Sequence, residues 1–151
     1  MRHEIFLKGQ MRKEDTKTNL EAKWGEGGLS LGWTPVPTSL MFLQAELGMT
    51  STDLNVILNL IMHWWDVKDK IYPSQDAIAY RMGVSKRTVQ RTLDRLVELE
   101  LIEVKHTKRN GKYRGRNIYS MTPLTRKLEL MSPIVKETMM ASKGLNSEND
   151  E

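Results

Sequence analysis

The sequence contains no cysteine, only three histidines and few aromatic residues. The absence of cysteine excludes disulfides, thiol catalysis and thiolate metal sites. The histidines at positions 3, 63 and 106 share no metal-ligand spacing and form no arrangement with a serine and an acid, so we expect no catalytic site, no metal site and no cofactor. No apolar run has the length of a signal peptide or a membrane span. We therefore expect a soluble cytoplasmic protein that is not an enzyme and does not contact a membrane.

Positive charge, in contrast, is abundant and unevenly distributed. The formal net charge of the 151 residues is +4 at pH 7, but the span 81–116 alone holds eleven Lys and Arg residues against four acids, a net +7. The rest of the chain must therefore sum to −3. A positive field concentrated on one segment is typical of a nucleic-acid-binding surface.

Residues 74–98 have the pattern of two short helices joined by a tight turn. The turn is Gly83-Val84-Ser85, and Ser74 and Ser85 are placed to cap the two helices. Apolar residues recur at helical spacing in both halves: Ile78, Ala79, Met82, Val89, Leu93 and Leu96. This layout predicts a helix-turn-helix, whose second helix enters the major groove of DNA.

The outward positions of the second predicted helix are largely basic. Arg and Lys match the acceptors of guanine and Gln matches adenine, and residues near the N-terminus of such a helix reach the base edges. We predict base-reading roles for Lys86, Arg87, Gln90 and Arg91. Contacts with the DNA backbone are predicted for Ser74, Ser85, Thr88 and Arg95. The alternative is an ordinary helix pair with a solvated charged face.

The pattern changes to strand period after this helix. Residues 101–105 and 117–121 alternate between apolar and polar side chains, and Asn110-Gly111 between them is a strong hairpin signal. A turn centred there pairs Ile102 with Tyr119 and Val104 with Asn117. The tip is expected to be too polar to pack and to contact the DNA backbone or the minor groove, unless it is simply a mobile charged loop. Its basic residues are Lys105, Lys108, Arg109, Lys112, Arg114 and Arg116.

The segments before the basic span are predicted to be an arm and two helices. Residues 1–32 show no sustained period, so we expect a partly disordered arm with a short strand near Ile5-Phe6-Leu7. A first helix, capped by Thr38 or Ser39, should run to about Leu47. The second, from Thr50 to about Trp65, is apolar on most sides and must be covered on most sides.

The segments after the hairpin are predicted to be two helices and a tail. Thr122-Pro123 and Ser132-Pro133 each place a capping hydroxyl before a proline, which predicts helices at 123–131 and 133–141. The apolar residues of the second helix either form a dimer contact or fold back on the core. Residues 142–151 are polar and acidic, and we expect them to be disordered.

The span from Trp33 to about Leu130 resembles the winged-helix domains of bacterial, phage and plasmid helix-turn-helix proteins. These proteins include regulators and replication-initiator-like proteins of mobile elements. One departure is Thr92, where an apolar residue is common, and Leu93 is expected to take over that packing. The resemblance is carried by Trp33-Thr34-Pro35-Val36-Pro37, Tyr72-Pro73-Ser74, Gly83-Val84-Ser85-Lys86-Arg87-Thr88-Val89-Gln90-Arg91 and Asn117-Ile118-Tyr119.

The predicted fold is mainly α with a small β-hairpin wing (α+β), a winged helix-turn-helix with extra N-terminal and C-terminal helices. The DNA-binding domain should span 33–121, between the arm at 1–32 and the C-terminal helices at 122–141, which are candidates for dimerisation.

The expected function is a transcriptional regulator that binds double-stranded DNA as a homodimer, without an evident small-molecule ligand. It should be cytoplasmic, and nucleoid-associated when bound to DNA. One alternative is a phage or plasmid replication initiator or replisome organiser. The other is a winged helix used as a protein-interaction module.

Overall fold

A computed structural model describes residues 13–148 of the chain. Contacts divide the protein into two compact units, one ending at Thr34 and one beginning at Pro35. The strand predicted near Ile5-Phe6-Leu7 and the last residues of the predicted tail lie outside the described part.

The described part of the first unit contains one helix, α1 (Lys13–Gly28). The sequence pattern did not predict this helix, because these residues were expected to belong to a partly disordered arm. The helix has no apolar face to bury, and Trp24 is 68% exposed, so hydrophobic periodicity could not reveal it. Gly25 interrupts it with a non-helical φ of 76° and ψ of 158°. Its lysines, glutamates and alanine are good helix formers, which favour a helix without an apolar stripe.

The second unit begins with α2 (Thr38–Leu43) and α3 (Ser51–Ile61). Neither Thr38 nor Ser39 caps α2, because the N-cap is Pro37, which has no side chain able to accept a hydrogen bond. Helix α3 starts with a capping box, in which Thr50 Oγ1 accepts from the Asp53 amide at 3.2 Å and the Asp53 carboxylate accepts from the Thr50 amide at 2.8 Å.

Helix α3 ends four residues before the predicted end at Trp65. Val56, Ile57, Leu60 and Ile61 are buried, as the apolar pattern predicts. The chain then turns, so Trp64 is only partly buried against the core and Trp65 is 60% exposed. The prediction that the helix runs to about Trp65 was therefore wrong, because the apolar pattern continues past Ile61 although the helix does not.

The helix-turn-helix consists of α4 (Gln75–Met82) and α5 (Lys86–Glu98). Ser74 Oγ accepts from the Ala77 amide and Ser85 Oγ accepts from the Thr88 amide, each at 3.1 Å, which confirms both predicted caps. Gly83 ends α4 in the left-handed region, with φ 68° and ψ 32°. Helix α5 packs against both α3 and α4.

A two-stranded antiparallel sheet follows, formed by β1 (Glu103–Lys105) and β2 (Ile118–Ser120). Val104 pairs with Tyr119 rather than with Asn117, so the predicted register was wrong by two residues. A shift of two keeps the same faces buried, and Ile102, Tyr119 and Met121 are indeed in the core. Ile71 adds a single bridge to β2 through Tyr119.

The register differs because the chain does not reverse in a two-residue Asn110-Gly111 turn. The reversal is a wider loop in which the Gly115 amide donates to the Lys108 carbonyl at 3.0 Å. Arg114 and Gly115 have positive φ, 52° and 76°, whereas Asn110 and Gly111 do not. The left-handed positions that set the geometry therefore lie after the Asn-Gly pair.

The two predicted C-terminal helices are one helix, α6 (Thr122–Glu148), with Pro133 inside it. This also corrects the predicted disorder of the tail as far as residue 148. Pro133 lacks an amide hydrogen, but its ring fixes φ close to the helical value, so it removes one hydrogen bond without ending the helix here. Ser132 Oγ donates to the Leu128 carbonyl instead of capping a new helix. The first part of α6 packs on the core through Leu124 and Leu128, and α6 also contacts α2.

Candidate nucleic-acid interface

Helix α5 is strongly amphipathic. Val89, Thr92, Leu93 and Leu96 are buried. Thr92 is thus part of the core beside Leu93 instead of being replaced by it, and its Oγ1 donates to the Thr88 carbonyl at 2.8 Å. This hydrogen bond within the helix lets a polar residue occupy an apolar position.

The four predicted base readers all lie on the exposed side of α5. Lys86, Arg87, Gln90 and Arg91 are exposed and occupy its first two turns. They form two neighbouring i, i+4 rows, so the structure brings them together on one surface. Lys86 Nζ lies 3.2 Å from Asp76 Oδ2 of α4, an exposed ion pair. Such pairs contribute about 0–1 kcal/mol, so this contact does not prevent Lys86 from binding another anion.

The predicted backbone contacts divide into two groups. Ser74, Ser85 and Thr88 stand at the N-terminal ends of α4 and α5, with the Ser85 and Thr88 hydroxyls 3.0 Å apart. Arg95 follows Arg91 by one turn on the same face of α5, but its guanidinium is engaged within the protein. Its Nε donates to Asp53 Oδ2 and its Nη2 to the Gly48 carbonyl, both at 2.9 Å. No local pattern in the sequence indicates this partner, because Asp53 is 42 residues away.

The wing, residues 105–116, places its six predicted basic residues on the surface. Lys105, Lys108, Arg109, Lys112, Arg114 and Arg116 are all exposed. Its two arms are joined beyond the strands, because Thr107 Oγ1 donates to the Arg116 carbonyl at 2.6 Å and His106 Nδ1 lies 2.9 Å from Asn117 Oδ1.

The wing also packs, contrary to the prediction that its tip is too polar to do so. Tyr113 contacts Tyr72 edge to face, with ring centroids 5.0 Å apart. Lys112 Nζ lies 5.7 Å from the centre of the Tyr113 ring. The sequence analysis did not single out Tyr113. The signal that could have revealed it is that Tyr113 is the one Phe, Trp or Tyr residue in the basic run of the wing, and such a residue can pack where its charged neighbours cannot.

A cleft of about 610 Å³, here called the helix–wing cleft, separates the start of the helix-turn-helix from the wing. Tyr119 lies against it with its hydroxyl buried, and burial raises the pKa of that hydroxyl. The side chains of Gln75 and Asn117 lie near enough to the hydroxyl to oppose part of this rise in its pKa. Neither of them forms a hydrogen bond with the hydroxyl. The cleft is lined by Pro73, Ser74, Gln75, Asp76, Lys86, Arg114, Gly115, Arg116, Asn117 and Tyr119.

Neither a cluster of metal ligands nor a membrane-spanning helix is found within residues 13–148. No group of three or more His, Asp or Glu residues there is arranged to hold a metal ion. No described helix is both long enough and apolar enough to cross a membrane.

Residues 47–102 match a protein family described as a helix-turn-helix domain. The match begins before α3 and ends just before β1, so it contains the whole of the helix pair. This segment is a helix-turn-helix DNA-binding domain, and the hairpin that follows makes the fold a winged helix-turn-helix, which confirms the predicted fold and resemblance.

Similarity to solved structures is weaker than the similarity to the helix-turn-helix family. A structure described as the crystal structure of MarR is 24% identical, with a TM-score of 0.41, and the match covers 74% of this chain and 72% of that one. None of the curated proteins matches this chain.

Proposed function

We propose that the protein is a sequence-specific transcription regulator that binds duplex DNA and has no enzymatic activity of its own. The observation that carries this proposal is the exposed cluster of Lys86, Arg87, Gln90 and Arg91 at the start of α5, opposite the buried stripe of the same helix. Side chains at this end of a recognition helix reach base edges when the helix lies in the major groove.

The two basic surfaces have different roles in this proposal. The side chains of α5 read bases, and each good bidentate pair discriminates by about 1–3 kcal/mol. The wing, with Ser74, Ser85 and Thr88, contacts phosphates and supplies affinity that does not depend on sequence. If helix and wing together neutralise about six phosphates, log affinity falls with log salt at a slope of about −5.

Fluorescence anisotropy with a duplex recovered from a random library tests the division of roles. Arg87→Ala and Arg91→Ala should each bring the affinities for specific and random duplexes closer, by about 10-fold or more. Arg109→Ala in the wing should weaken binding to both duplexes by a similar factor. If the helix variants leave the ratio of the two affinities unchanged, the base-reading assignment is wrong. If the wild-type protein binds no duplex even at low salt, the protein-interaction alternative replaces the proposal.

We further propose that the regulator acts as a homodimer, because one domain reads too few base pairs for useful specificity. An apolar groove of about 430 Å³ between α2 and the second half of α6 supports this. Phe42 is 56% exposed there, and Met139 and Met140 are 40% and 65% exposed. Exposed apolar side chains that form one patch are typical of a surface that another protein molecule covers.

Sedimentation equilibrium tests the dimer with two matched variants on the same helix. Met139→Glu places a charge in the groove and should shift the protein towards the monomer. Leu130→Glu is the control, because Leu130 is 74% exposed and does not line the groove. A two-fold symmetric site in the selected DNA would support the same conclusion, whereas a monomeric wild-type protein would refute it.

A further inference from the structure

A second cleft, of about 420 Å³, also borders the wing. It separates the wing from the loop that follows α3, here called the lysine loop (residues 66–70). Four cations line it, Lys68 and Lys70 from the loop and Lys112 and Arg116 from the wing, against one carboxylate, Asp69. This lysine-loop cleft is not accounted for by the helix-turn-helix.

The acids of the lysine loop are turned towards its own backbone. Asp66 Oδ1 accepts from the Lys68 amide at 2.9 Å, and Asp69 Oδ2 accepts from the Asp66 amide at 2.7 Å. Among the described residues no ion pair involves Lys68 or Lys70, so both ammonium groups remain available to an external anion. His63 also lines the cleft, but burial and the nearby Arg81 lower its pKa, which disfavours a positive charge on this side chain.

Both walls of the lysine-loop cleft are anchored. The end of the loop is tied to the sheet, because the Tyr119 amide donates to the Ile71 carbonyl at 2.8 Å. The wing is tied to the same segment by the contact between Tyr72 and Tyr113. The cations are therefore presented on a pre-formed surface, which reduces the entropy lost on binding.

The lysine-loop cleft continues the helix–wing cleft. The two share Pro73 and Arg116 in their linings. Basic side chains therefore line both clefts: Lys86 and Arg114 line the helix–wing cleft, Arg116 lines both, and Lys68 and Lys70 line the lysine-loop cleft. Duplex DNA carries one charge per about 1.7 Å of its axis, so basic side chains spread over both clefts match an extended stretch of duplex rather than one isolated anion.

We propose that the lysine-loop cleft binds the backbone of the duplex flanking the recognised site and so lengthens the DNA footprint. This inference rests on the proposed DNA-binding function. The partner is duplex backbone rather than an unpaired base, because four cations and one carboxylate dominate the lining, while its two aromatic rings, Tyr72 and Tyr113, contact each other edge to face.

The test compares two duplexes, one limited to the recognised site and one with about ten further base pairs on each side, a full helical turn. Wild-type protein should bind the longer duplex more tightly. Lys68→Ala/Lys70→Ala should remove that advantage. On the longer duplex only, the double variant should also reduce the slope of log affinity against log salt concentration by up to about 1.8. Each phosphate that a lysine neutralises contributes about 0.9 to that slope.

Lys23→Ala/Arg126→Ala is the matched control, because it removes the same charge from exposed positions on α1 and α6 that line neither the clefts nor the proposed dimer groove. It should leave the advantage of the longer duplex intact. The proposal is overturned if the control and the loop variant behave alike, or if the loop variant weakens both duplexes equally. Preferential binding of a single strand that depends on Lys68 and Lys70 would also overturn it. Failure of the base-reading function is distinct, since it shows as insensitivity of the shorter duplex to Arg87→Ala and Arg91→Ala.

Discussion

Arg95 of α5 donates from Nε to Oδ2 of Asp53, 2.9 Å away at the start of α3. Asp53 is only 1% exposed, and its carboxylate also accepts from the Thr50 amide in the capping box. One carboxylate therefore both caps α3 and holds α5. The orientation of the α5 surface that we propose to read DNA depends on this buried contact.

The first prediction concerns the two arginines one turn apart on α5. Arg95→Ala should lower the free energy of unfolding by about 1–3 kcal/mol, because it removes a hydrogen-bonded partner from a buried carboxylate. The lower part of that range is expected, since the Arg95 side chain is 48% exposed and its charge is partly screened. Urea denaturation measures the change.

Arg91→Ala is the control for this prediction. Arg91 is exposed, so its removal should change the unfolding free energy by no more than about 0.5 kcal/mol while reducing sequence preference. Equal stability of the two variants would contradict the structural role of Arg95.

The second prediction concerns Gly83 at the helix-turn-helix turn. Gly83→Ala should destabilise the protein by about 1–2 kcal/mol, because φ is 68° and a Cβ strains a left-handed residue. No atom lies within 4 Å of the position of that Cβ, so the cost is one of backbone conformation and not of a clash.

Gly144→Ala makes the same chemical change inside α6, where no positive φ occurs and no atom crowds the new Cβ. It should leave the denaturation midpoint unchanged or raise it slightly, since Ala is the better helix former. A Gly83 variant as stable as the wild type would refute the predicted strain.

The third prediction concerns Thr92, the polar residue in the core of α5. Thr92→Val should stabilise the protein by about 0.5–1 kcal/mol, because the hydroxyl is satisfied only by a carbonyl that the helix already uses. Thr92→Ser keeps the hydroxyl and loses a buried methyl, so it should destabilise by about 1 kcal/mol. Thermal unfolding of both variants gives the two signs, and stabilisation by Ser rather than Val would refute the argument.

The fourth prediction concerns pH and His63. Burial, and secondly the positive charge of Arg81, lower the pKa of His63 from its usual 6.5. As the pH falls, His63 therefore binds a proton in the unfolded chain before it does so in the folded protein. The contribution of neutral His63 to the free energy of unfolding is fully present above pH 6.5 and is lost as the pH falls towards the folded-state pKa.

Urea midpoints at pH 7.5 and 5.5 test this sign. His63→Gln should lose less stability than the wild type over that interval, because it has no group to protonate there. His106→Gln is the control, since this wing histidine is exposed. The same loss in all three proteins would exclude His63 as the cause.

Local signals were sufficient for the helix-turn-helix. The serine caps, the glycine turn and the apolar spacing of residues 74–98 all act within a few residues, so the sequence predicted both helices and the outward cluster from Lys86 to Arg91. The buried faces of the hairpin were also predictable, because strand parity survives a register error of two.

The sequence alone therefore determined the helix pair, the sign and location of its charge and the presence of a hairpin, since each depends on short-range periodicity and turn chemistry. Tertiary structure decided the role of Arg95, the packing of Tyr113 on Tyr72 and the continuity of α6 through Pro133. It also decided that the lysine loop lies beside the wing. The two contacts and the position of the loop depend on residues some 40 positions apart, so no local pattern reveals them. Pro133 locally signals the end of a helix, but packing of the helix on both sides of it keeps α6 continuous.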